Sequence, residues 1–428
     1  MKNLFDFIQL FAQPYDANYL VMNRTTDTTA TTGNDLSPEM KTYYDMNLLD
    51  YAQANLVHDQ FGQKRPIPQG SGKTIEFRKF SPLAKALTPL TEGVTPKGDQ
   101  LNVSAMTATV QQYGNFIVQS DVLELTALDN TILEATKQLG RQAGKTIDTV
   151  IRDILHSGTN VMYAPTLSGT TEVPSTSRGM LDTTAVLTVD LVEQIAANLR
   201  AMDCPTIGGY YIGIIHPYAA YDLMRDAEWR KPHEYVNTEN IYRGEIGEIG
   251  GIRFVQSTEA KIIRGDNLAS DSRTLAVNHA DGYTGAITSI AFDGGTVAED
   301  ALIGRKININ GVTATITDNT ASSLTFASTN FGTVANDAVI YPGEGGKQGI
   351  SVFSSLFFGQ DAYGVTEIEG GGLQTIVKQK GSAGTADPLD QRSSVGWKAM
   401  LTAEILIPEY LIRVEHTSKR YSATAQQN

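Results

Sequence analysis

One cysteine, Cys204, stands in the whole 428-residue sequence. A lone thiol closes no internal disulfide and builds no multi-cysteine metal site, so stability has to come from packing or assembly, and a reducing compartment is compatible. Histidine is scarce too: the six (His58, His156, His216, His233, His279 and His416) are scattered, with no pair at metal-ligating spacing on a helix. Basic residues are outnumbered, 34 Lys and Arg against 47 Asp and Glu, for a formal charge of −13. That deficit excludes a protein that wraps nucleic acid over its entire surface, because such binding needs clustered cations on phosphate. Any contact with DNA must be local. Long apolar runs are missing as well: a membrane-crossing helix needs about 20 apolar residues, and polar residues or glycine break every run sooner. Asp6 and Gln9 likewise interrupt what would be the core of an export signal. Charged residues make up only 19 %, low for a chain solvated on all sides, which points to surface hidden by partners.

Catalytic signatures are short of their parts. Gln69-Gly-Ser-Gly-Lys-Thr74 resembles a phosphate-binding loop, but Ile67 stands where the first glycine is needed, and a strand pattern follows instead of a helix. An NTP-dependent enzyme using Lys73 is therefore a weak alternative, and a simple turn the better reading. Gly244, Gly247 and Gly250 are spaced three apart, which does not fit a dinucleotide fingerprint. His233-Glu234 lacks a second histidine, and Cys204 has no basic neighbour to activate it. No catalytic, cofactor-binding or metal-ligating residue is expected.

What is present is an order of elements. Leu4, Ile8 and Phe11 share one face of a short amphipathic segment that wants a partner surface. A Thr-rich tether over 25–35 follows, and Ser37-Pro38 opens a helix. From Lys73 to about Val118 the texture is strand: Ile75 and Phe77 alternate with Thr74, Glu76 and Arg78, and Leu101 to Ala105 alternates on the return. Pro82, Pro89, Gly93 and Pro96 break regular structure in between. A ribbon of two strands is marginal alone in water and should lie on something else. The clearest helix is expected over 131–157, with Ile132, Ala135, Leu139, Ala143, Ile147, Val150 and Ile154 inward. Lys137, Arg141, Lys145 and Arg152 fall on its other face, interleaved with Glu134 and Asp148, as either a solvated face or a DNA-facing stripe. Helix 188–203, strand 210–215 and a helix after His216-Pro217 follow. Residues 281–347 turn all-β around an Asn310-Gly311 hairpin and carry seven acidic against three basic residues, as a small inserted module would. A strand pair about Pro408-Glu409 and a polar tail complete the pattern.

Asn34-Asp-Leu-Ser-Pro-Glu-Met-Lys41, Gly72-Lys-Thr-Ile-Glu-Phe-Arg-Lys-Phe-Ser-Pro82, Leu90-Thr-Glu-Gly-Val-Thr-Pro96, the Gly247-to-Glu259 stretch and Ser394-Val-Gly-Trp-Lys398 resemble the N-four-type major capsid family of tailed phages. The resemblance covers most of the chain outside the β insert. It implies an α+β Hong Kong 97-type fold: arm and first helix 1–60, extended loop 61–119, peripheral domain 120–187 with its spine helix, axial domain 188–280 and 348–386, insert 281–347, and peripheral strands with a tail 387–428. It further implies a major capsid protein whose copies assemble as hexamers and pentamers into an icosahedral virion shell in the host bacterial cytoplasm. Its implied partners are packaged double-stranded DNA on the inner face without sequence specificity and a portal protein, with room for scaffold and decoration proteins and no membrane. Intersubunit contacts are expected at Leu4, Ile8, Phe11, Ile75, Phe77, Arg78, Lys79, Leu90 and Glu92. The spine helix would face inward, which strengthens the DNA-facing reading of Lys137, Arg141, Lys145 and Arg152. A bacterial nanocompartment shell of the same fold stays open; it would hold an enzyme cargo peptide in place of a genome.

Overall fold

The computed structural model describes residues 22–23, 56–80, 98–126, 131–226, 247–271, 273–378 and 391–428, with scattered positions in 83–95 and at 389. Leu4, Ile8, Phe11, Leu90 and the helix expected after Pro38 lie outside the described residues. The chain divides into two compact units: residues 1–59, 64–150 and 365–403 form one, and 60–63, 151–364 and 404–428 the other.

In the first unit, Thr74–Phe80 and Val103–Thr109 form a two-stranded antiparallel ribbon in register from Thr74↔Thr109 to Phe80↔Val103. The ribbon ends sooner than its expected limit near 119. Gln111–Ser120 instead belongs to a larger sheet, paired along its whole length with Arg392–Ile405, from Gln111↔Leu401 to Ser120↔Arg392. Gln374–Lys378 flanks the same strand. Polar Gln142 of the long helix Thr131–Leu155 accepts from Asn115 Nδ2 at 3.1 Å and from Trp397 Nε1 at 3.4 Å, fixing helix to sheet. Gly396 is required beneath it, since a Cβ there would come within 2.8 Å of Phe116 and 2.9 Å of the Asn115 carbonyl.

The helix buries Ala135, Leu139, Ala143, Ile147, Ile151 and Leu155. This corrects the expected inward set at its C-terminal end. Strict steps of four carry the buried stripe to Ile151 and Leu155, leaving Val150 and Ile154 half-buried. Asp148, expected on the solvated face, is also buried. Its Oδ1 accepts from the backbone N–H groups of Val57 and His58 at 2.8 and 2.7 Å, and its Oδ2 meets His58 Nδ1 at 2.7 Å. Asp148→Ala would leave the two buried donors of His58 and the half-buried N–H of Val57 without their acceptor, a loss expected to cost about 3 kcal/mol in a urea melt.

The second unit is built on a mixed sheet ordered Glu248–Ile249, Ile252–Gln256, Tyr211–Ile215, Val352–Phe358, Leu411–His416 and Val161–Tyr163. Every residue of Tyr211–Ile215 and Val352–Phe358 is buried, the polar Ser354 and Ser355 of the second strand included. Helix Val189–Ala201 packs its Leu191, Val192, Ile195 and Leu199 into this core, and Thr188 caps it by accepting from Leu191 N at 3.3 Å. The strand pair expected about Pro408 does not form. A 3₁₀ turn at Pro408–Tyr410 separates the two strands, and Leu411–His416 pairs with Val352–Phe358 and Val161–Tyr163.

The same unit carries a closed six-stranded barrel. Its strands in spatial order are Leu275–Val277, Ala286–Asp293, Ser323–Asn330, Val312–Asn319, Lys306–Ile309 and Val339–Pro342, the last pairing back onto the first. It begins ahead of the expected residue 281, because Leu275 and Val277 supply core side chains. Ile290, Phe292, Ile307, Ile309, Ile316, Leu324, Phe326 and Ile340 fill the interior. Ile309 faces Val312 across the Asn310-Gly311 turn, where both residues have positive φ (53° and 85°), the geometry of a two-residue hairpin.

The expected polar tail is not a solvated one. Thr417, Ser418 and Ser422 are fully or nearly fully buried, and Ala425 is buried with them. The Ser422 carbonyl accepts from Ser351 N at 2.8 Å, and the Ala425 carbonyl accepts from Ser351 Oγ at 2.7 Å and from Arg264 at 3.0 Å.

Candidate assembly surfaces

The ribbon has two unlike faces. On one, Ile75 and Lys79 are half-buried and Phe77 is 4 % exposed, with Met106 opposite and the Arg65 guanidinium 5.8 Å from the ring centre. Phe77 is thus covered within the subunit, which corrects its assignment as an intersubunit anchor: alternation identified the apolar face but not its cover. The other face is exposed and polar, with Thr74, Glu76 and Arg78 beside Ala105, Thr107 and Thr109. Arg78 Nε donates to Glu76 Oε1 at 2.8 Å across this face. Glu92 is exposed. Apolar exposure concentrates at the far end of the ribbon, where Leu83 is 55 %, Leu87 82 %, Leu101 66 % and Val103 51 % exposed. Among the described residues the ribbon pairs with no other strand.

Of the four cations expected on one helix face, three keep an outward position. Arg141 and Lys145 are exposed, and Lys137 is half-buried with its Nζ 3.9 Å from Glu134. Arg152 is corrected: it is buried, donating to the Glu259 carbonyl at 2.7 Å and the Asn428 carbonyl at 3.3 Å while pairing with Asp153 at 3.1 Å. A helical wheel assigns a face but not what lies beyond it, and these carbonyl partners are 107 and 276 residues away.

A third surface is the barrel, whose joint to the body went unread in the sequence. The turn Arg178–Met180 holds it. Asn308 of the barrel, buried, donates to the Gly179 carbonyl at 2.9 Å, and a Cβ on Gly179 would strike Thr313 at 2.6 Å. Arg178 forms a two-pronged ion pair with fully buried Glu415, at 2.7 and 2.6 Å, and also donates to the Glu344 carbonyl where the chain leaves the barrel. Arg413 reaches the same Glu415 Oε1 at 3.3 Å and donates to the His156 carbonyl. Burial works against both guanidinium groups, but with opposite outcomes. Burial is the largest influence at Arg178, but hydrogen bonding and charge attraction to Glu415 together outweigh it and hold the group above its ordinary value, whereas burial wins at Arg413 and lowers it. Separations of more than 160 residues hide such pairs from sequence reading.

The loop Gln69–Lys73 opens a strand, with Gly70 and Gly72 at φ 85° and 88°, so no helix N-terminus stands there to cradle phosphate. Among the described residues no three His, Cys, Asp or Glu side chains are placed to hold a metal ion, and no helix is long and apolar enough to cross a membrane.

Residues 25–380 match the model of a family described as phage capsid protein. No curated protein matches the chain in sequence. Among solved structures, the chain is similar to the capsid of the cyanophage P-SCSP1u at 12 % identity, covering 92 % of this chain and 97 % of that one with a TM-score of 0.52. It is similar to the capsid of Ralstonia phage GP4 at 11 % identity, covering 92 % and 99 % with a TM-score of 0.52. The capsid asymmetric unit of cyanophage Pam1 gives 11 % identity, 94 % and 100 % coverage and a TM-score of 0.54. At these identities the likeness is one of fold: the α+β capsid fold.

Proposed function

Since the chain belongs to the phage capsid protein family, we propose how its parts build the shell for which a major capsid protein is made. Its copies close into hexamers and pentamers of an icosahedral shell around the double-stranded DNA of a tailed phage, with a portal at one vertex, assembling in the host bacterial cytoplasm. The observation that carries this reading is the ribbon: a lone strand pair whose far end exposes Leu83, Leu87, Leu101 and Val103. Beyond the covered Phe77, the far end of such a pair lacks the third strand or packing surface it needs in water, and a neighbouring copy supplies one. Burying each of those leucines contributes about 1.5–3 kcal/mol, and a shell multiplies that over many copies. Lys137, Arg141 and Lys145 supply a local cationic stripe for the packaged duplex in an otherwise acidic chain.

Electron microscopy of the purified protein, with nuclease-protected nucleic acid measured on the same particles, tests this. Closed icosahedral particles that protect DNA after packaging are expected. A protein that stays monomeric at high concentration, or shells that enclose an enzyme and no genome, would overturn it.

A further inference from the structure

Two buried histidines meet at one phenylalanine. His216 lies with its ring centre 5.3 Å from that of Phe353, and His416 with its ring centre 6.0 Å away, stacked at 18°. Phe353 is also the hub of a small cluster with Ile262 and Ala425, against which Tyr421 packs. Ala425 and Tyr421 are the apolar side chains that hold the segment 417–428, Tyr421 also meeting the Tyr218 and Tyr221 rings; most of its other contacts are polar. They include bonds from Ser351 and Arg264 to the Ser422 and Ala425 carbonyls, from Arg152 to the Asn428 carbonyl, from Ile262 N to Asn428 Oδ1 at 2.9 Å, and from Thr417 Oγ1 to the Asp182 and Ala185 carbonyls. A segment with so little apolar burial sits at the low-stability end of a fold.

The His216 imidazole is placed so that only its neutral form fits. His216 Nδ1 accepts from Tyr218 N at 3.1 Å, capping helix Pro217–Met224, and a proton on Nδ1 would set donor against donor. The Thr417 carbonyl, 3.1 Å from His416 Nδ1, can only accept, so that nitrogen carries the hydrogen, while the Ser355 hydroxyl 2.9 Å from Nε2 can give or take one; at His416 it is complete burial that opposes the charged form. The His216 cap leads straight to the segment, because the Tyr218 ring stacks on Tyr421 at 4.0 Å and 10°.

We propose that residues 417–428 form a latch, docked on the body while His216 and His416 are neutral and detached from it when they take up protons in acid. The charged groups that act on the pair are Glu259 on His216 and Glu415 on His416, each favouring the protonated ring, and His216 opposes a charge on His416. Burial dominates and pushes both imidazoles from 6.5 down to about 4. The folded-state values lie below those of hydrated rings, so the docked state keeps its full advantage above pH 6.5 and loses it progressively as the pH falls towards 4.

Hydrogen exchange of the full chain, read by mass spectrometry as protection factors corrected for intrinsic rates, tests the latch. Between about pH 7 and about pH 4.5, peptides from 417–428 are expected to lose about tenfold or more in protection while peptides from barrel strands 306–330 keep theirs. His216→Asn retains a good capping oxygen and removes the titration, so its segment should lose several-fold less protection in acid. Unchanged protection of 417–428 across this range overturns the proposal. So does a His216→Asn protein that responds as fully as the natural one, or a barrel that loosens in step with the segment.

Discussion

Glu415→Ala lowers the stability of the subunit by about 3–5 kcal/mol, the loss expected when one partner of a buried ion pair is removed and its counter-charges stay behind. Two guanidinium groups depend on this carboxylate, Arg178 through both of its oxygens and Arg413 through one, and the carboxylate is fully buried. Without it, Arg178 retains the Glu344 carbonyl and Arg413 the His156 carbonyl, neither of which carries charge. The decline should be read by urea denaturation at neutral pH, with the barrel followed separately, since Arg178 also joins the barrel to the body. Replacing Arg178, Arg413 and Glu415 together by apolar residues of similar volume should recover much of the loss, because it removes the charges along with their desolvation cost. A Glu415→Ala protein within about 1 kcal/mol of the natural one would show that water reaches the arginines and that the triad is not the joint described above.

The second large effect falls on assembly. Phe80 and Val103 are the last paired residues of the ribbon, so replacing residues 81–102 by Asn-Gly closes it with a two-residue turn and leaves the register from Thr74 to Thr109 intact. Phe77 stays covered by Arg65 and Met106, so the subunit is expected to fold with an unchanged melting temperature. Leu83, Leu87 and Leu101 are lost, and with them the apolar area available to a neighbouring copy. Closed particles should fall below detection by electron microscopy while soluble subunits or small oligomers accumulate. Normal shells from the shortened protein would move the essential intersubunit hold away from the ribbon's end. Restoring single leucines on a lengthened turn would then rank their contributions.

Much of this fold could be read locally. The Asn310-Gly311 turn between alternating apolar residues specified its hairpin through φ alone, and the Ile75-to-Phe77 alternation marked a strand with one apolar face. The long helix was visible in its period, yet the drift of a 3.6-residue period moved its buried stripe to Ile151 and Leu155. What escaped was decided by distant partners. Asp148 and Arg152 look like members of a solvated face until the N–H groups of residues 57–58 and the carbonyls of Glu259 and Asn428 arrive. Residues 417–428 have the composition of a loose tail, but main-chain carbonyls answer Arg152, Arg264 and Ser351, and composition does not register such bonds. The ribbon was legible as a strand pair with one apolar face, but the burial of Phe77 within the subunit was not, because exposure of an apolar face depends on a side chain as far off as Arg65.

The barrel's first and last strands are hydrogen-bonded neighbours, Leu275 facing Ile340. Paired residues on adjacent strands stand only about 5 Å apart, so the body meets this whole module as it would a tight loop. That makes the position a graft site: any independently folding domain with similarly close ends could replace residues 275–342 without stretching the host backbone, and be carried once per subunit. The same closeness gives such a guest a docking requirement, a side chain able to replace Asn308 at the Gly179 carbonyl, if it is to sit firmly and not swing on its two connections.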